Sequence, residues 1–282
     1  MTSTASLTVD LNALARNFHA LEALTGVPVH PVVKADSYGL GALACTRRLM
    51  DEGADTVFVA RADEGARLRA ALGPELTIYV LDGCVHGTVP MLRQANLRPI
   101  INQPDHLSAW RSAGSGACGL QIDTGMNRLG FRASEAPEPF EDLALIISHL
   151  ACADDPDEPM NSRQRDDFAR ICQAYPGVQR SFANSGGCFL GRDFAFDAVR
   201  PGICLYGGGP QGRPDPRIAA VATMTAQVLQ VRDVPAGESI GYSRGHVATD
   251  PMTIATCGAG YADGILRSGG DGGKVWVKDQ LR

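Results

Sequence analysis

The stretch VHPVVKADSYGLGALACTRRLMDEGADTVFVA, residues 29–60, sets the fold. It opens with an apolar run, 29–34, that ends on Lys34. An amphipathic pattern follows from Leu40 to Glu52, and a second apolar run occupies 56–60. Strands that are apolar on both faces belong to a buried parallel sheet, and parallel pairing needs a crossover such as the helix between them. The same rhythm recurs downstream. Apolar strand candidates lie at 77–81, 98–101, 118–123, 144–149, 181–184 and 198–204. Helical patterns lie at Glu64–Leu72, Asp105–Arg111 and Arg163–Tyr175. Upstream, Asp10 is placed to cap a helix from Leu11 to about Leu24, with Leu11, Leu14, Phe18 and Leu21 on one face. Eight strand units within about 200 residues predict an α/β fold, a closed (β/α)8 TIM-type barrel. An open doubly wound sheet would carry a Gly-rich dinucleotide turn after the first strand, and none is there.

Near residue 217 the rhythm changes. Gly207-Gly208-Gly209-Pro210-Gln211-Gly212-Arg213-Pro214 reads as a linker. Beyond it lie β-rich stretches at Ala219–Val234, Met252–Cys257 and Lys274–Lys278. Turn signals at Pro235-Ala236-Gly237 and Gly269-Gly270-Asp271-Gly272-Gly273 separate them. The reading is a barrel over 1–217 and an all-β domain over 218–282. The second domain is expected to be incomplete, a strand or two short of a closed small barrel.

Hydrophobic residues make up 44% of the chain, enough for a substantial core. The net charge of -5 is spread in mixed signs without a basic block, so nucleic acid is not an expected partner. No apolar run approaches the roughly 20 residues that span a bilayer, and none is expected to meet a membrane. Met1–Leu7 lacks the basic start and apolar core of an export signal, so the chain is expected to be cytoplasmic. The eight cysteines form no C-x-x-C pair and read as buried thiols.

On a barrel, functional residues belong at the C-terminal ends of the strands, with anions favoured at the loops after strands seven and eight. That rule selects Lys34, Arg128, His149, Asn184, Ser185, Arg200, Gly202 and Ile203. A buried amine at Lys34 would have a lowered pKa and suit Schiff-base chemistry; alternatively it snorkels out at the strand end. Position alone leaves both open. Ser185, and Gly202-Ile203, offer a hydroxyl and backbone N–H groups that an anion can approach closely. Either loop alone reads as a turn; together they read as a phosphate site. Asp154-Asp155-Pro156-Asp157-Glu158 reads as a solvated loop near the entrance, and His86, His106 and His246 show no ligand spacing, so no metal is expected.

Six motifs resemble one family. VVKADSYGLG (Val32–Gly41), DTGMNRLG (Asp123–Gly130), Ser148-His149-Leu150, Ala183-Asn184-Ser185, Arg200-Pro201-Gly202-Ile203 and GAGYADG (Gly258–Gly264) are similar to the alanine racemases, in order and in register. The resemblance implies a fold-type III enzyme dependent on pyridoxal 5'-phosphate, working as a head-to-tail homodimer with shared active sites. It would interconvert L- and D-alanine and supply D-alanine for cell-wall synthesis. Lys34 would carry the cofactor and serve one face of the substrate Cα, while Tyr261 from the other subunit would serve the opposite face. Tyr38, Ser185 and the backbone of Gly202 and Ile203 would grip the phosphate, with Asn184 also on the cofactor. Arg200 would point at the pyridine nitrogen, His149 would link Arg200 to Tyr261, and Arg128 would hold the substrate side. One proton-transfer group would return the proton to the face it left, so racemisation needs two. Tyrosine titrates near 10, so Tyr261 would need positive charge nearby to act as a base.

The sequence departs from the family twice. Gln121 stands where many members have a lysine, often carbamylated, that supports the residue matching Arg128; the Gln121 amide oxygen could accept from Arg128 instead. The family also continues, with a Gly-Arg and a Met-Asp segment and a later tyrosine, past the point where Arg282 ends the sequence. The expectation is a C-terminally truncated chain that binds cofactor and racemises poorly. The rivals are a serine or broad-specificity racemase, a decarboxylase or metal-dependent aldolase of the same fold, and a non-catalytic pyridoxal-phosphate-binding fragment.

Overall fold

The apolar runs form a parallel sheet because their alternate residues have two separate interiors to fill. A computed structural model describes residues 3–114, 116–269, 273–278 and 280–281. A first strand, β1 (Ala5–Val9), precedes the helix Leu11–Thr25, whose first turn is capped by Asp10: its Oδ1 accepts from the N–H of Asn12 and Ala13 at 2.8 and 2.9 Å. Then β2 (Thr56–Val59), β3 (Thr77–Val80), β4 (Arg98–Ile101), β5 (Cys118–Gln121), β6 (Leu143–Ile147) and β7 (Gln179–Ser181) pair in parallel, in that order. Val57 and Val59 pack outward under the helices, while Phe58 packs inward with Tyr79, Ile100, Leu145 and Ile147. Phe58 and Tyr79 stack at 5.1 Å. Burying each such side chain stabilises by roughly 1.5–3 kcal/mol.

Two of the eight expected strands, 29–34 and 198–204, appear only as single bridges: Val32 to Phe58, Ser181 to Ala198, and Val29 to Val199. Pro28, Pro31 and Pro201 are the reason, since proline has no N–H for the ladder. Their carbonyls still accept, from Val199 at 3.0 Å, Phe58 at 2.8 Å and Val32 at 2.9 Å. These bridges complete the ring that the six-stranded sheet begins. Strand β7 lies two residues earlier than expected, where Asp197 holds Arg180 through Nε at 2.8 Å and Nη2 at 2.6 Å. A helix at Val89–Gln94 was not foreseen, and the one expected from Leu40 starts at Ala42. The remaining barrel helices span Ala62–Leu72, Pro104–Ser112 and Pro159–Cys172. Among the described residues no helix is long and apolar enough to cross a membrane.

The chain divides into two units, one running Val9–Ala222 and the other combining 1–8 with 223–282. The second unit is built from strands and short turns. Strand β8 (Ala222–Ala226) pairs with β1, and β9 (Val228–Val234) pairs antiparallel with a later strand of residues 252–257. The short pairs are β10 (Ser239–Ile240) with β11 (His246–Val247) and, after β12 (Met252–Cys257), β13 (Trp276–Val277) with β14 (Gln280–Leu281). The Gly-rich turn expected at 269–273 falls partly on 270–272, outside the described residues.

Candidate active site

Lys34 is followed by an unusual turn. Ala35, Asp36, Ser37 and Tyr38 all have positive φ, between 51° and 58°. A left-handed helical conformation costs roughly 1–2 kcal/mol for each residue that carries a Cβ. Hydrogen bonds offset this. Glu64 Oε1 accepts from Ala35 N–H at 2.9 Å, Val33 O from Ser37 N–H at 3.0 Å, and Asp36 Oδ1 from Ala42 N–H at 2.7 Å. The turn reverses the chain so that the Tyr38 ring packs on Tyr206 at 5.0 Å, beside the cavity that Lys34 also lines. Burial raises the phenol pKa of both tyrosines.

The loops after strands seven and eight meet at Ser185. Its Oγ accepts from Gly202 N–H at 2.9 Å and Cys204 N–H at 3.2 Å. A side chain at 202 would run into the Tyr38 hydroxyl, so glycine is what lets the three approach. Asn184 braces the loop, its Oδ1 accepting from Gly187 N–H at 2.9 Å. Ile203 lies beside them, 47% exposed.

Between these corners lies Arg200, only 4% exposed. It donates through Nη1 to Ser181 Oγ at 2.7 Å and through Nη2 to the Ser148 carbonyl at 2.6 Å, with its guanidinium 5.7 Å from the Phe58 ring centre. Burial pushes its pKa down to about 9, opposed only by Cys188; no carboxylate contributes. It therefore stays charged at neutral pH. His149 is pushed down to about 3, by burial first and then by the charges of Arg200, Arg128 and Lys34. A neutral imidazole can accept at Nε2, and Asn184 Nδ2 lies 3.4 Å away.

Lys34, Tyr38, Arg128, His149, Asn184, Ser185, Arg200, Gly202 and Ile203 line one cavity of about 500 Å³ at the C-terminal ends of the strands. Tyr261 is not brought into that set. It belongs to the other unit, on a short turn, and is 76% exposed. Gln121 Nε2 donates to the Leu129 carbonyl at 3.0 Å, and among the described residues no bond joins Gln121 to Arg128.

Three residues escaped the sequence reading. Asp82 also lines the cavity, with its carboxyl held above the usual range by burial and then by Glu64. Gln164, 1% exposed, donates to the His149 carbonyl at 3.0 Å and to Thr124 Oγ1 at 3.2 Å, and accepts from Ala151 N–H at 2.9 Å. Nothing in its local pattern marks it. Glu64 has a weak signal, a carboxylate in the first turn of a helix that follows a strand. Of the acidic run, Glu158 caps the helix Pro159–Cys172 by accepting from Met160 N–H at 3.1 Å.

Comparison with known proteins matches both units. The model of the alanine racemase N-terminal domain covers residues 9–210, and that of the C-terminal domain covers 221–282. The chain belongs to the alanine racemase family. The alanine racemase of Jannaschia sp. (strain CCS1) is 41% identical over 283 aligned positions, 98% of this chain and 81% of that one. The alanine racemase of Cereibacter sphaeroides (strain ATCC 17029 / ATH 2.4.9) is 43% identical, over 94% of this chain and 77% of that one. Among solved structures, alanine racemase from Bartonella henselae with covalently bound pyridoxal phosphate superposes with a TM-score of 0.87 at 36% identity. That match covers 95% of this chain and 78% of the other. Alanine racemase from D-cycloserine-producing Streptomyces lavendulae gives 0.88 at 28% identity, over the whole of this chain and 80% of the other. These comparisons place the chain among the isomerases.

Proposed function

We propose that the chain interconverts L- and D-alanine with pyridoxal 5'-phosphate, supplying D-alanine for cell-wall synthesis in the cytoplasm, as a homodimer. One observation carries the reading: an amine, an anion corner and an arginine without a carboxylate share one cavity. The residues fit the cofactor. The cradle at Gly202 would be filled by any Cβ, and Ser185 and Tyr38 stand on either side of it. Those residues, with the Ile203 backbone, would hold the phosphate. Lys34 would hold the cofactor covalently, with Asn184 and His149 alongside, and Arg128 would orient the substrate. When bound, the cofactor withdraws electrons from the substrate and makes its Cα–H acidic.

Arg200 would pair with the ring nitrogen. A guanidinium has no acceptor to take a proton there, so it favours a weaker electron sink and chemistry confined to Cα. Racemisation then needs a proton-transfer group on each face. Lys34 serves one, and Tyr261 from a second copy of the chain serves the other. The His149 backbone is tied down by Gln164, and burial together with the charges of Arg200, Arg128 and Lys34 keeps its ring neutral.

The test is direct. Lys34 is the sole lysine before Lys274, so a covalent adduct of the barrel with the cofactor aldehyde can form at no other lysine side chain. The purified chain should show Schiff-base absorbance and exchange D- for L-alanine. Lys34→Ala should lose the absorbance and about 10²–10⁴-fold of the exchange rate, the usual worth of a positioned acid–base group. Unchanged absorbance in that variant would remove the proposal.

A further inference from the structure

Glu64 does not line the cavity, yet its carboxylate joins two strand ends that do. It is 8% exposed. Oε1 accepts from Ala35 N–H at 2.9 Å, and Oε2 accepts from Ala60 N–H at 2.9 Å and Arg61 N–H at 3.2 Å. Ala35 follows Lys34 directly, and Ala60 follows β2 and also lines the cavity. The Arg61 guanidinium is directed to Asp63 instead, with Nε at 3.0 Å and Nη2 at 3.2 Å. Glu64 is thus a buried acceptor answered by three backbone N–H donors.

A carboxylate suits this place and an amide does not. Both carboxylate oxygens accept, whereas glutamine must turn an NH2 toward Ala35 or toward the Ala60–Arg61 pair. Removing an acceptor from a part-buried N–H costs more than the bond itself was worth. Here that N–H opens the left-handed turn, four residues long, in which every residue carries a Cβ. That turn settles both where the Lys34 amine is carried and how Tyr38 returns to the same cavity.

We propose that Glu64 is a positioning residue for Lys34: its carboxylate pins the left-handed turn, so the Lys34 amine and the Tyr38 phenol address one cavity. This rests on Lys34 being the reactive amine of the proposed racemase. Without Glu64 the turn relaxes toward the ordinary right-handed region and the amine is no longer aimed.

The experiment compares wild type, Glu64→Gln and, as a surface control, Asp63→Asn, beginning with protein stripped of cofactor. In Glu64→Gln, hydrogen exchange in the peptide spanning 33–38 should quicken about tenfold, as expected when one charge-assisted bond is lost. Peptides from 98–112 should keep their rates, and so should all peptides in Asp63→Asn. On adding pyridoxal phosphate, Glu64→Gln should bind more weakly, and kcat should fall about 100-fold with little change in KM, the scale of an error of about 1 Å at a reacting group. Wild-type exchange at 33–38, or wild-type affinity and kcat, in a folded Glu64→Gln would overturn the proposal. If Glu64→Gln does not fold, Glu64→Asp takes its place, keeping the charge while drawing it one methylene back from Ala35, with the same outcomes deciding. The exchange measurement needs no cofactor. A wild-type chain that binds no pyridoxal phosphate would sink the racemase reading and leave the result on the Glu64 contact standing.

Discussion

The turn after Lys34 and the turn that carries Tyr261 are held in different ways. The first draws on residues far away in sequence, with Glu64 on its opening amide and Tyr206 under its last ring. The second is held locally, by Gly260 N–H to Asp263 Oδ2 at 2.9 Å and by backbone bonds within 260–265. A long-range turn fixes its side chain through the whole fold, while a local turn can present its side chain without disturbing anything else. Substitutions at the first should therefore alter binding and stability together. Substitutions at the second should alter chemistry alone.

The largest expected effect tests the second half of that contrast. Tyr261→Phe should lower the racemisation rate about 10²–10⁴-fold. Its melting temperature and affinity for pyridoxal phosphate should match wild type, because the ring is 76% exposed. A variant with full turnover would deny Tyr261 its role, and one that lost cofactor would erase the distinction between the turns. Gly202→Ala tests the first half. The added methyl meets the Tyr38 hydroxyl, so pyridoxal phosphate should bind roughly ten- to a hundredfold more weakly, in line with an overpacking cost of about 1–3 kcal/mol. Unaltered affinity would mean that the corner between the two loops is not an anion site.

The smallest effect concerns pH. Burial pushes His30, in the 29–34 run, down to about 4, with Asp55 opposing and Arg200 adding to the shift. The folded state keeps this ring neutral while the unfolded chain takes up a proton near pH 6.5. The stability at stake is fully present above 6.5 and is lost as pH falls toward 4. Roughly 2 kcal/mol of it is gone by pH 5. Melting temperatures measured from pH 7 to 5 should fall less steeply for His30→Gln than for wild type. Parallel slopes would show that His30 does not set the acid limb.

Much of the barrel could be read from the chain because its signal is local. Apolar runs such as 56–59 and 98–101 are short, bounded and separated by amphipathic helices, and each fills an inner and an outer layer. The residues ending those runs could be read too, because position on a parallel strand fixes which end of the barrel they reach. What escaped was tertiary. Gln164 lies on a helix face whose burial depends on the 148–151 loop lying against it. The left-handed turn at 35–38 contains no glycine and resembles the start of the next helix, and the distant contacts that distinguish it, Ala35 N–H to Glu64 and Tyr38 on Tyr206, are not local in sequence. The strands at 29–34 and 198–204 were visible as apolar runs, but their thin pairing follows from Pro31 and Pro201 within them and Pro28 just before the first.

That thin pairing is a seam. Three backbone bonds, Val199 N–H to Pro28 O at 3.0 Å, His30 N–H to Val199 O at 2.8 Å and Val32 N–H to Pro201 O at 2.9 Å, fasten the last strand of the ring to the first. Lys34 lies just beyond one lip of that seam and Gly202 just beyond the other. A molecule gripped at both would act as a clasp, and whatever free energy it gained on binding would resist the parting of the barrel along that join.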